Sequence, residues 1–407
     1  MPVFDFEAVD KEGKSKKGSL EGSSIEDVKE SLKLQGYIPI DVREQTLLTK
    51  DLDISIGKKV SSKELAIFCR QFSSIINAGV TIIGALEMLY EQSENKYLSA
   101  AIRDVQTAVE KGDSLADGLR MQPKVFPEIL VNMVEAGEAS GSLDVALDRL
   151  SEHFEKSNTL SSTVKNAMIY PIVVVVVAIC VVIVMMVKVV PTFLDMFEQV
   201  DGELPALTKA VVAVSNFLTR HGLLIAIILA LLVTLFMLYK QSDKGRYQLS
   251  ALVLKLPLFG KLVRKSASAT FTRTLSTLLA SGISLIDAVE ITARVVENEV
   301  FKEALLQAKD EVERGVALSE PLENSGQFPP MVFRMIRIGE ETGNMESMLD
   351  KVADFYEDDV QNATKAMTTI LEPVIIVVLA VLVGTIMLAV LSPMFTLYNS
   401  VSSSAGM

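Results

Sequence analysis

The stretch Phe68–Glu87, FCRQFSSIINAGVTIIGALE, occurs a second time as Phe271–Glu290, FTRTLSTLLASGISLIDAVE, and seven of the 20 positions are identical. A second pair follows about 60 residues later, where Met133–Phe154, MVEAGEASGSLDVALDRLSEHF, matches Met335–Tyr356, MIRIGEETGNMESMLDKVADFY. A period of about 200 residues is too long for a solenoid repeat. The chain therefore contains one domain twice, and each copy runs into a long apolar stretch.

The apolar residues of this 407-residue chain are concentrated rather than spread, with 49% hydrophobic residues and a mean hydropathy of +0.36. Three runs of roughly 17–19 residues carry no charged side chain, and each is long enough to cross a bilayer. We therefore predict three transmembrane helices, at 169–190, 223–239 and 373–392. The first and third apolar runs open near a proline, Pro171 or Pro373.

Charge bias predicts which segments face the cytoplasm. The stretch Lys240–Lys265 has seven Lys/Arg and one acid, whereas residues 191–222 have two basic residues and four acids. By the positive-inside rule, the basic stretch is cytoplasmic. Two homologous soluble domains should also share one side, which requires an odd crossing between them. We expect a multi-pass protein of a bacterial inner membrane, with a cytoplasmic N-terminus and with residues 191–222 and the tail 393–407 outside.

The net charge of −12 is distributed unevenly. Residues 270–372 carry nine Lys/Arg and 19 Asp/Glu, and residues 61–168 carry ten and 15. Acidic domains argue against nucleic acid as a partner, because nucleic-acid binding needs a basic surface. The acidity serves either solubility or docking onto a basic partner. Cys69 and Cys180 are expected in different compartments of the molecule, so no disulfide framework is predicted.

The fold class predicted is mainly α. Residues 1–60 are expected to form a small α/β domain and a polar linker, because Phe4, Phe6 and Ala8 alternate with acids as in a half-buried strand. The segment 61–168 reads as a first cytoplasmic helical bundle. Residues 240–372 read as a basic juxtamembrane segment followed by a second, homologous bundle.

Glycines mark the ends of the predicted helices. Ser62 is expected to cap a helix that stops before Gly79, and Gly282 repeats that stop in the second copy. The segments Gly137–Gly141 and Gly339–Gly343 are each expected to end a further helix. At Gly137 and Gly339 we expect the left-handed conformation that only glycine adopts cheaply.

No catalytic motif is present, so we expect neither an enzyme nor a bound cofactor or metal. There is no phosphate-binding GxxxxGK[ST] loop, and His153 and His221 lack a metal-ligand partner at a suitable spacing. The acids of the two Gly-Glu segments, Glu138, Glu340 and Glu341, are expected to be solvated or paired with arginines. Binding of a divalent cation at an interface is the alternative.

Several stretches resemble a known family. The opening FDFEAVDKEGKSKKGSLEGSS, the stretch FCRQFSSIINAGVTIIGALE, the repeated MVEAGEASGSLDVALDRLSEHF, and NAMIYPIVVVVVA followed by KVVPTF resemble type II secretion F proteins and their type IV pilus counterparts, often called PilC. The resemblance covers essentially the whole chain. One departure is that Glu372 stands before Pro373, where Tyr170 precedes Pro171 in the first copy.

The resemblance implies a non-catalytic, inner-membrane assembly platform that couples a hexameric cytoplasmic ATPase to pilin or pseudopilin insertion. It also implies contacts with other inner-membrane assembly proteins and membrane lipid, and a homo-oligomer. A type IV pilus and a type II secretion pseudopilus both remain open, and a membrane sensor or transporter is the alternative class. Candidate contact or structural residues are the glycines, glutamates and prolines of the repeat: Gly79, Gly137, Glu138, Gly141, Pro171, Gly282, Gly339, Glu340, Gly343 and Pro373.

Overall fold

A computed structural model describes the backbone of residues 3–9, 15–21, 25–34, 38–44, 60–193 and 205–404. The chain divides into two compact units, Met1–Lys59 and Val60–Met407. In the second unit the side chains are described for residues 60–193 and 205–392.

The N-terminal unit is the α/β domain that the sequence predicts. Its elements are β1 (Val3–Val9), β2 (Ser15–Glu21), α1 (Ile25–Leu34) and β3 (Ile38–Glu44). β1 is the central strand of an antiparallel sheet of order β2-β1-β3, and Phe4 pairs with Leu20 on one side and with Glu44 on the other. Val28 of the predicted apolar stripe on α1 is fully buried. The predicted caps at Ser23 and Ser24, and the linker, lie outside the described residues.

The second unit is helical in all its described secondary structure, and its helices repeat in order. The first bundle consists of α2 (Ser62–Asn77), α3 (Ile82–Gln92), α4 (Lys96–Glu110), α5 (Leu115–Arg120), α6 (Glu128–Ser140) and the first part of α7 (Leu143–Val184). Next come α8 (Ala206–Gln241) and α9 (Asp243–Lys255). The second bundle consists of α10 (Phe259–Ala280), α11 (Leu285–Val295), α12 (Glu299–Val312), α13 (Ser319–Asn324), α14 (Pro330–Thr342) and the first part of α15 (Met345–Ser404).

Local signals explain where these helices begin and end. Gly79 and Gly282 have φ angles of +84° and +81°, so the predicted glycine stops are confirmed. The predicted cap at Ser62 is wrong by one residue. Ser61 is the N-cap, because its hydroxyl accepts a hydrogen bond from the amide of Glu64 while the Glu64 carboxylate accepts one from the Ser61 amide at 2.7 Å. This reciprocal pair is a capping box.

The two bundles share a continuous apolar core. Aromatic rings anchor equivalent places in it, with Phe68 and Phe126 in the first bundle at a centroid distance of 5.6 Å, and Phe271 and Phe328 in the second at 5.0 Å. Edge-on and tilted ring contacts at such distances are favourable beyond the area they bury. The predicted apolar face of α7 is confirmed, because all its members are buried: Leu143, Ala146, Leu147, Leu150 and Phe154.

Helices α7 and α15 pass from the bundles into the apolar stretches without a break. The boundaries proposed near 169 and 373 therefore fall inside continuous helices, and both Pro171 and Pro373 are interior helical residues. A proline there removes one backbone hydrogen bond. After Val184 the helix widens into a π-helical turn, Met185–Val189, and continues to Phe193.

Three helices of the described chain are long and apolar enough to cross a membrane, namely α7 with its continuation, α8 and α15. They meet near the end of the apolar runs that lies away from the bundles, where Met186, Val211 and Ile386 form a small cluster. The Thr208 hydroxyl donates to the Ala389 carbonyl at 2.7 Å, and the Ser215 hydroxyl donates to the Met186 carbonyl of the π-helical turn. Such bonds satisfy polar groups where lipid offers no partner.

Candidate functional site

Glu138 and Glu340 occupy the same place in the two bundles and do the same work. The Glu138 carboxylate accepts hydrogen bonds from the backbone amides of Leu115 and Ala116, both at 2.9 Å. These are the first amides of α5, which have no acceptor inside their own helix. A carboxylate is favourable there because a helix N-terminus carries partial positive charge.

Glu340 repeats this arrangement at the start of α13. Its carboxylate accepts from the backbone amides of Leu318 and Ser319, and from the Ser319 hydroxyl at 2.6 Å. The expectation that these acids are solvated or paired with arginines is therefore wrong for Glu138 and Glu340. Both tie the Gly-Glu segment to a short helix of the same bundle. Glu341, by contrast, is exposed.

The glycines beside these acids have a role that differs from the predicted one. Gly137 and Gly339 lie inside α6 and α14, and the residues with left-handed backbone are Gly141 and Gly343, each at φ +69°. A Cβ on Gly137 would lie 2.9 Å from the Cβ of Ala146. Gly137 is thus required by the close approach of α6 and α7, and Gly141 by the turn between them.

Gly339 repeats the close approach, because a Cβ there would lie 2.8 Å from the Met345 Cα. Twenty-eight residues of α7 separate its start from Ile169, and 28 residues of α15 separate its start from Pro373. At 1.5 Å per residue the two Gly-Glu segments lie about 40 Å along the helix axis from the apolar spans. They mark the ends of the two bundles that are remote from the membrane.

An arginine that is identical in the two copies connects the first helix of each bundle to its long helix. Arg70 donates through Nε to the Ser151 hydroxyl at 3.1 Å and forms an ion pair with Glu155. Arg273 donates through Nε to Glu357 at 2.7 Å and also pairs with Asp350 and Asp354. The identity of the two arginines in the sequence repeat was the signal that could have located these clusters.

The Arg273 cluster is the more enclosed of the two. Its side chain is 13% exposed, against 58% for Arg70. Burial alone would lower the pKa of the Arg273 guanidinium, but its hydrogen bonds and charge interactions with the surrounding carboxylates outweigh burial and raise the pKa. The guanidinium is therefore held in its charged form as a fixed link between α10 and α15.

The cluster is enclosed because a lysine of the first bundle reaches it. Lys156 on α7 lies 3.1 Å from Asp354 and 3.2 Å from Glu357 of α15. Beside it, His153 is buried against Phe154, and its Nδ1 has no hydrogen-bond partner within the described residues. The two long helices thus make a polar contact, followed toward the membrane by an apolar one between Leu160, Val360 and Met367.

A second contact between the bundles borders an open cleft. Arg294 of α11 pairs with Glu128 of α6 at 2.6 Å, and it also binds Glu290 of its own helix. The cleft has a volume of about 410 Å³. Its walls carry charges of both signs, among them Arg120 from the first bundle and Asp287 from the second.

Metal-ligating groups are not clustered in the described chain. Within residues 60–193 and 205–392, no group of three or more His, Cys, Asp or Glu side chains has the arrangement to hold an ion. Cys69 is fully buried, and this burial raises the pKa of its thiol. It is therefore a core side chain rather than a reactive thiol.

The family of the chain follows from comparison with known proteins. The model of type II secretion system protein F matches twice, at residues 68–191 and 271–393, and the model of the N-terminal domain of that protein matches residues 1–43. The chain belongs to the type II secretion system protein F family. The two matches correspond to the two bundles with their membrane helices, so the sequence repeat is the duplicated domain of this family.

Relatives of this protein F chain match it over nearly its full length. It is 37% identical to the type IV pilus assembly protein PilC of Myxococcus xanthus, over 98% of this chain and 95% of the relative. It is 39% identical to the type IV pilus assembly protein PilC of Pseudomonas aeruginosa, over 92% and 99%. It is 31% identical to the type II secretion system protein F of the same organism, over 98% and 99%.

These findings confirm the family predicted from the sequence, the mainly α fold with repeated domains, and a multi-pass membrane protein with three spanning helices. The structure brings the predicted glycines and glutamates together within each bundle. It does not bring the two copies of the motif together with one another into one cluster. Lys156, Arg273 and the acids around them were missed as a group, because they meet only through the packing of α7 on α15.

Proposed function

We propose that this chain is a non-catalytic inner-membrane platform for type IV pilus assembly, and that it couples a hexameric cytoplasmic ATPase to pilin insertion. The observation that carries the proposal is the continuity of α7 and α15, which join each bundle to a membrane span in one helix. A helix of this length is stiff enough to move a span when the bundle moves. The platform class also agrees with the names of the relatives.

A type IV pilus is favoured over a secretion pseudopilus by the two relatives from P. aeruginosa. The pilus assembly relative is 39% identical and the secretion relative is 31% identical. The test is to express this chain in a P. aeruginosa strain that lacks the first relative and in one that lacks the second. We expect surface pili to return in the first strain. Restored protein secretion in the second strain without pili in the first would favour the alternative, a type II secretion platform.

Coupling to an ATPase is proposed to occur at the membrane-distal ends of the bundles. Glu138 and Glu340 are engaged within the bundles, so Glu341 is the acid of the Gly-Glu segments whose side chain is available to a partner. The test is a pull-down of the cognate ATPase by the full-length protein in detergent. Glu341→Lys should weaken capture, and Glu297→Lys is the matched control, because Glu297 is exposed in the same bundle beside the helix that contacts α9.

Salt separates the possible outcomes of this pull-down. Electrostatic docking should weaken between about 0.1 M and 1 M salt, where the screening length falls from about 10 Å to about 3 Å. Equal loss of binding with both substitutions would show that net charge, rather than the distal end, matters. Binding that ignores both salt and Glu341→Lys would contradict docking at this acid.

The proposed orientation places the bundles in the cytoplasm. Truncated chains fused to a periplasmic reporter after Arg220 and after Lys261 provide the test. The fusion after Arg220 should be active outside the inner membrane and the fusion after Lys261 inactive, because α8 crosses between them. The reverse activities would reject the proposed orientation.

A further inference from the structure

Both ends of helix α9 lie at the level of the membrane surface. Its first end follows the span of α8 after a single residue, Ser242. At its other end, Phe259 packs in one cluster with Met168 and Leu371, which precede the first and third apolar runs. A helix of 13 residues is about 20 Å long. Since its two ends are at the same depth, α9 lies along the membrane surface rather than pointing away from it.

One side of α9 faces the second bundle. The Glu299 amide, at the start of α12, donates to the Ser250 hydroxyl at 3.3 Å, and Arg246 lies 3.6 Å from the Glu299 carboxylate. The other side faces the end of the α8 span. There the Tyr239 hydroxyl donates to the Gln248 side chain, and a Cβ on Gly245 would lie 1.9 Å from the Tyr239 carbonyl oxygen. Helix α9 therefore lies between the bundle and the bilayer.

The surface that α9 leaves uncovered is both apolar and basic. Leu252 is 57% exposed and lies on the same face as the exposed Lys244 and Lys255. Beyond the helix, Leu256 is 46% exposed. Leu258 is exposed with a φ of +70°, and within the described chain it is the only residue other than glycine with positive φ. That conformation is costly for a residue with a Cβ, and here it accompanies an outward-facing leucine.

Lysines without partners surround this surface, although the chain as a whole has a net charge of −12. Within the described residues, six exposed lysines at this level have no ion pair or side-chain hydrogen bond, and they are Lys165, Lys240, Lys244, Lys255, Lys261 and Lys365. Two acids lie at the same level, Asp243 and Glu372, and Asp243 is paired with Arg246. The local charge is thus opposite to that of the two bundles.

We propose that α9 and the segment that follows it, residues 256–261, form a lipid-binding surface that selects anionic phospholipid headgroups. Leucines of this surface would enter the bilayer interface, and lysines would extend their ammonium groups to the phosphates. The surface is continuous with the exposed apolar spans, and a basic juxtamembrane segment attracts anionic lipid. These features indicate a membrane as the occupant rather than a soluble acidic protein.

Tryptophan fluorescence provides the test, because the chain contains no tryptophan. Leu252→Trp is made in the full-length protein, which is placed in nanodiscs that contain phosphatidylcholine and phosphatidylglycerol. In paired samples, either one lipid or the other carries brominated acyl chains, which quench a tryptophan in contact. Leu229→Trp within the α8 span is the reference for lipid contact, and Met121→Trp, which is exposed in the first bundle, is the reference for none.

We expect Leu252→Trp to be quenched, and more strongly when the phosphatidylglycerol is brominated. The selectivity should be on the order of fivefold for each lysine that reaches the headgroups. It should fall toward one when Lys244, Lys255 and Lys261 are all changed to Gln. The matched control changes three exposed, unpaired lysines of the first bundle to Gln and should retain the selectivity: Lys96, Lys111 and Lys124.

Two results would overturn the proposal. If Leu252→Trp resembles Met121→Trp while Leu229→Trp is quenched, the surface does not touch lipid and another contact, such as a second copy of the chain, covers it. If quenching is equal for the two lipids, or if both triple variants keep the same selectivity, the lysines do not select headgroups. Leu256→Trp is a second reporter should Leu252→Trp disturb folding.

Discussion

Replacing Glu138 by Gln tests whether the Gly-Glu motif supports the fold by capping a helix. The change removes the negative charge and leaves one acceptor oxygen for the two amides of Leu115 and Ala116. A hydrogen bond to a charged group contributes about 1.5–3 kcal/mol. Because about 1.4 kcal/mol is a factor of ten, local opening at these amides should become roughly 10- to 100-fold more frequent.

Hydrogen exchange measured by mass spectrometry on the full-length protein in detergent is suited to this question, because it reports local rather than global opening. Peptides that contain Leu115 and Ala116 should exchange faster in Glu138→Gln, and peptides from α3 should not change. Glu341→Gln is the matched control, since this neighbouring acid of the second motif is exposed. Glu340→Gln should accelerate exchange at the start of α13 in the same way.

The reasoning would be refuted by one clear pattern. If the amides at the start of α5 exchange at the same rate in Glu138→Gln as in the unchanged protein, the two hydrogen bonds do not hold this helix. If exchange rises equally in α3 and in α5, the substitution destabilises the whole bundle, and the effect is not that of a local cap.

Three further predictions concern the glycines and the charges. Gly137→Ala should destabilise the protein by about 1–2 kcal/mol, because crowding of about 1–3 kcal/mol exceeds the gain of about 1 kcal/mol in helix propensity; in thermal unfolding of the detergent-solubilised protein, Asn should be tolerated at Gly141 but not at Gly137, since Asn adopts the left-handed conformation. Lys156→Gln should cost about 0.5–1 kcal/mol, as befits a partly exposed pair, whereas Lys124→Gln, an exposed lysine without a partner, should leave the melting temperature unchanged. The pKa of Glu290 is held below its ordinary value of 4.5 by hydrogen bonds from a lysine and an arginine; its stabilisation is therefore present above that pH and lost as the pH falls through the lowered pKa, so Glu290→Gln should flatten the acid limb of a plot of melting temperature against pH.

The sequence predicted those features that depend on a few neighbouring residues. The apolar face of α7 and the stops at Gly79 and Gly282 are local patterns, and the structure confirms them. The cap at Ser61 was also within reach, because Glu64 stands three residues later, which is the spacing of a capping box. The choice of Ser62 instead overlooked that second member of the pair.

The features that the sequence did not predict depend on distant segments. Glu138 binds amides 22 and 23 residues before it, and Lys156 reaches Asp354 across 198 residues. Gly137 was assigned to the wrong conformation because its true constraint is the distance between α6 and α7, which no local spacing encodes. The repeat was still informative, since it marked which positions matter before it was clear what they contact.

The two copies of the domain are alike inside each bundle but unlike where they meet. Lys156 stands near the middle of the stretch of α7 between its start and Ile169, and it binds acids that Arg273 already holds on α15. Under the proposed function, a force applied at the membrane-distal Gly-Glu segments acts about 40 Å from the spans, and this polar contact lies between the two. Because α7 and α15 continue into the membrane without a hinge at Pro171 or Pro373, movement of one bundle against the other must either break this contact or turn the spans together. The exposed, salt-sensitive pair made by Lys156 is the weaker link, whereas Arg273 stays bound within its own bundle, so relative movement should begin at Lys156.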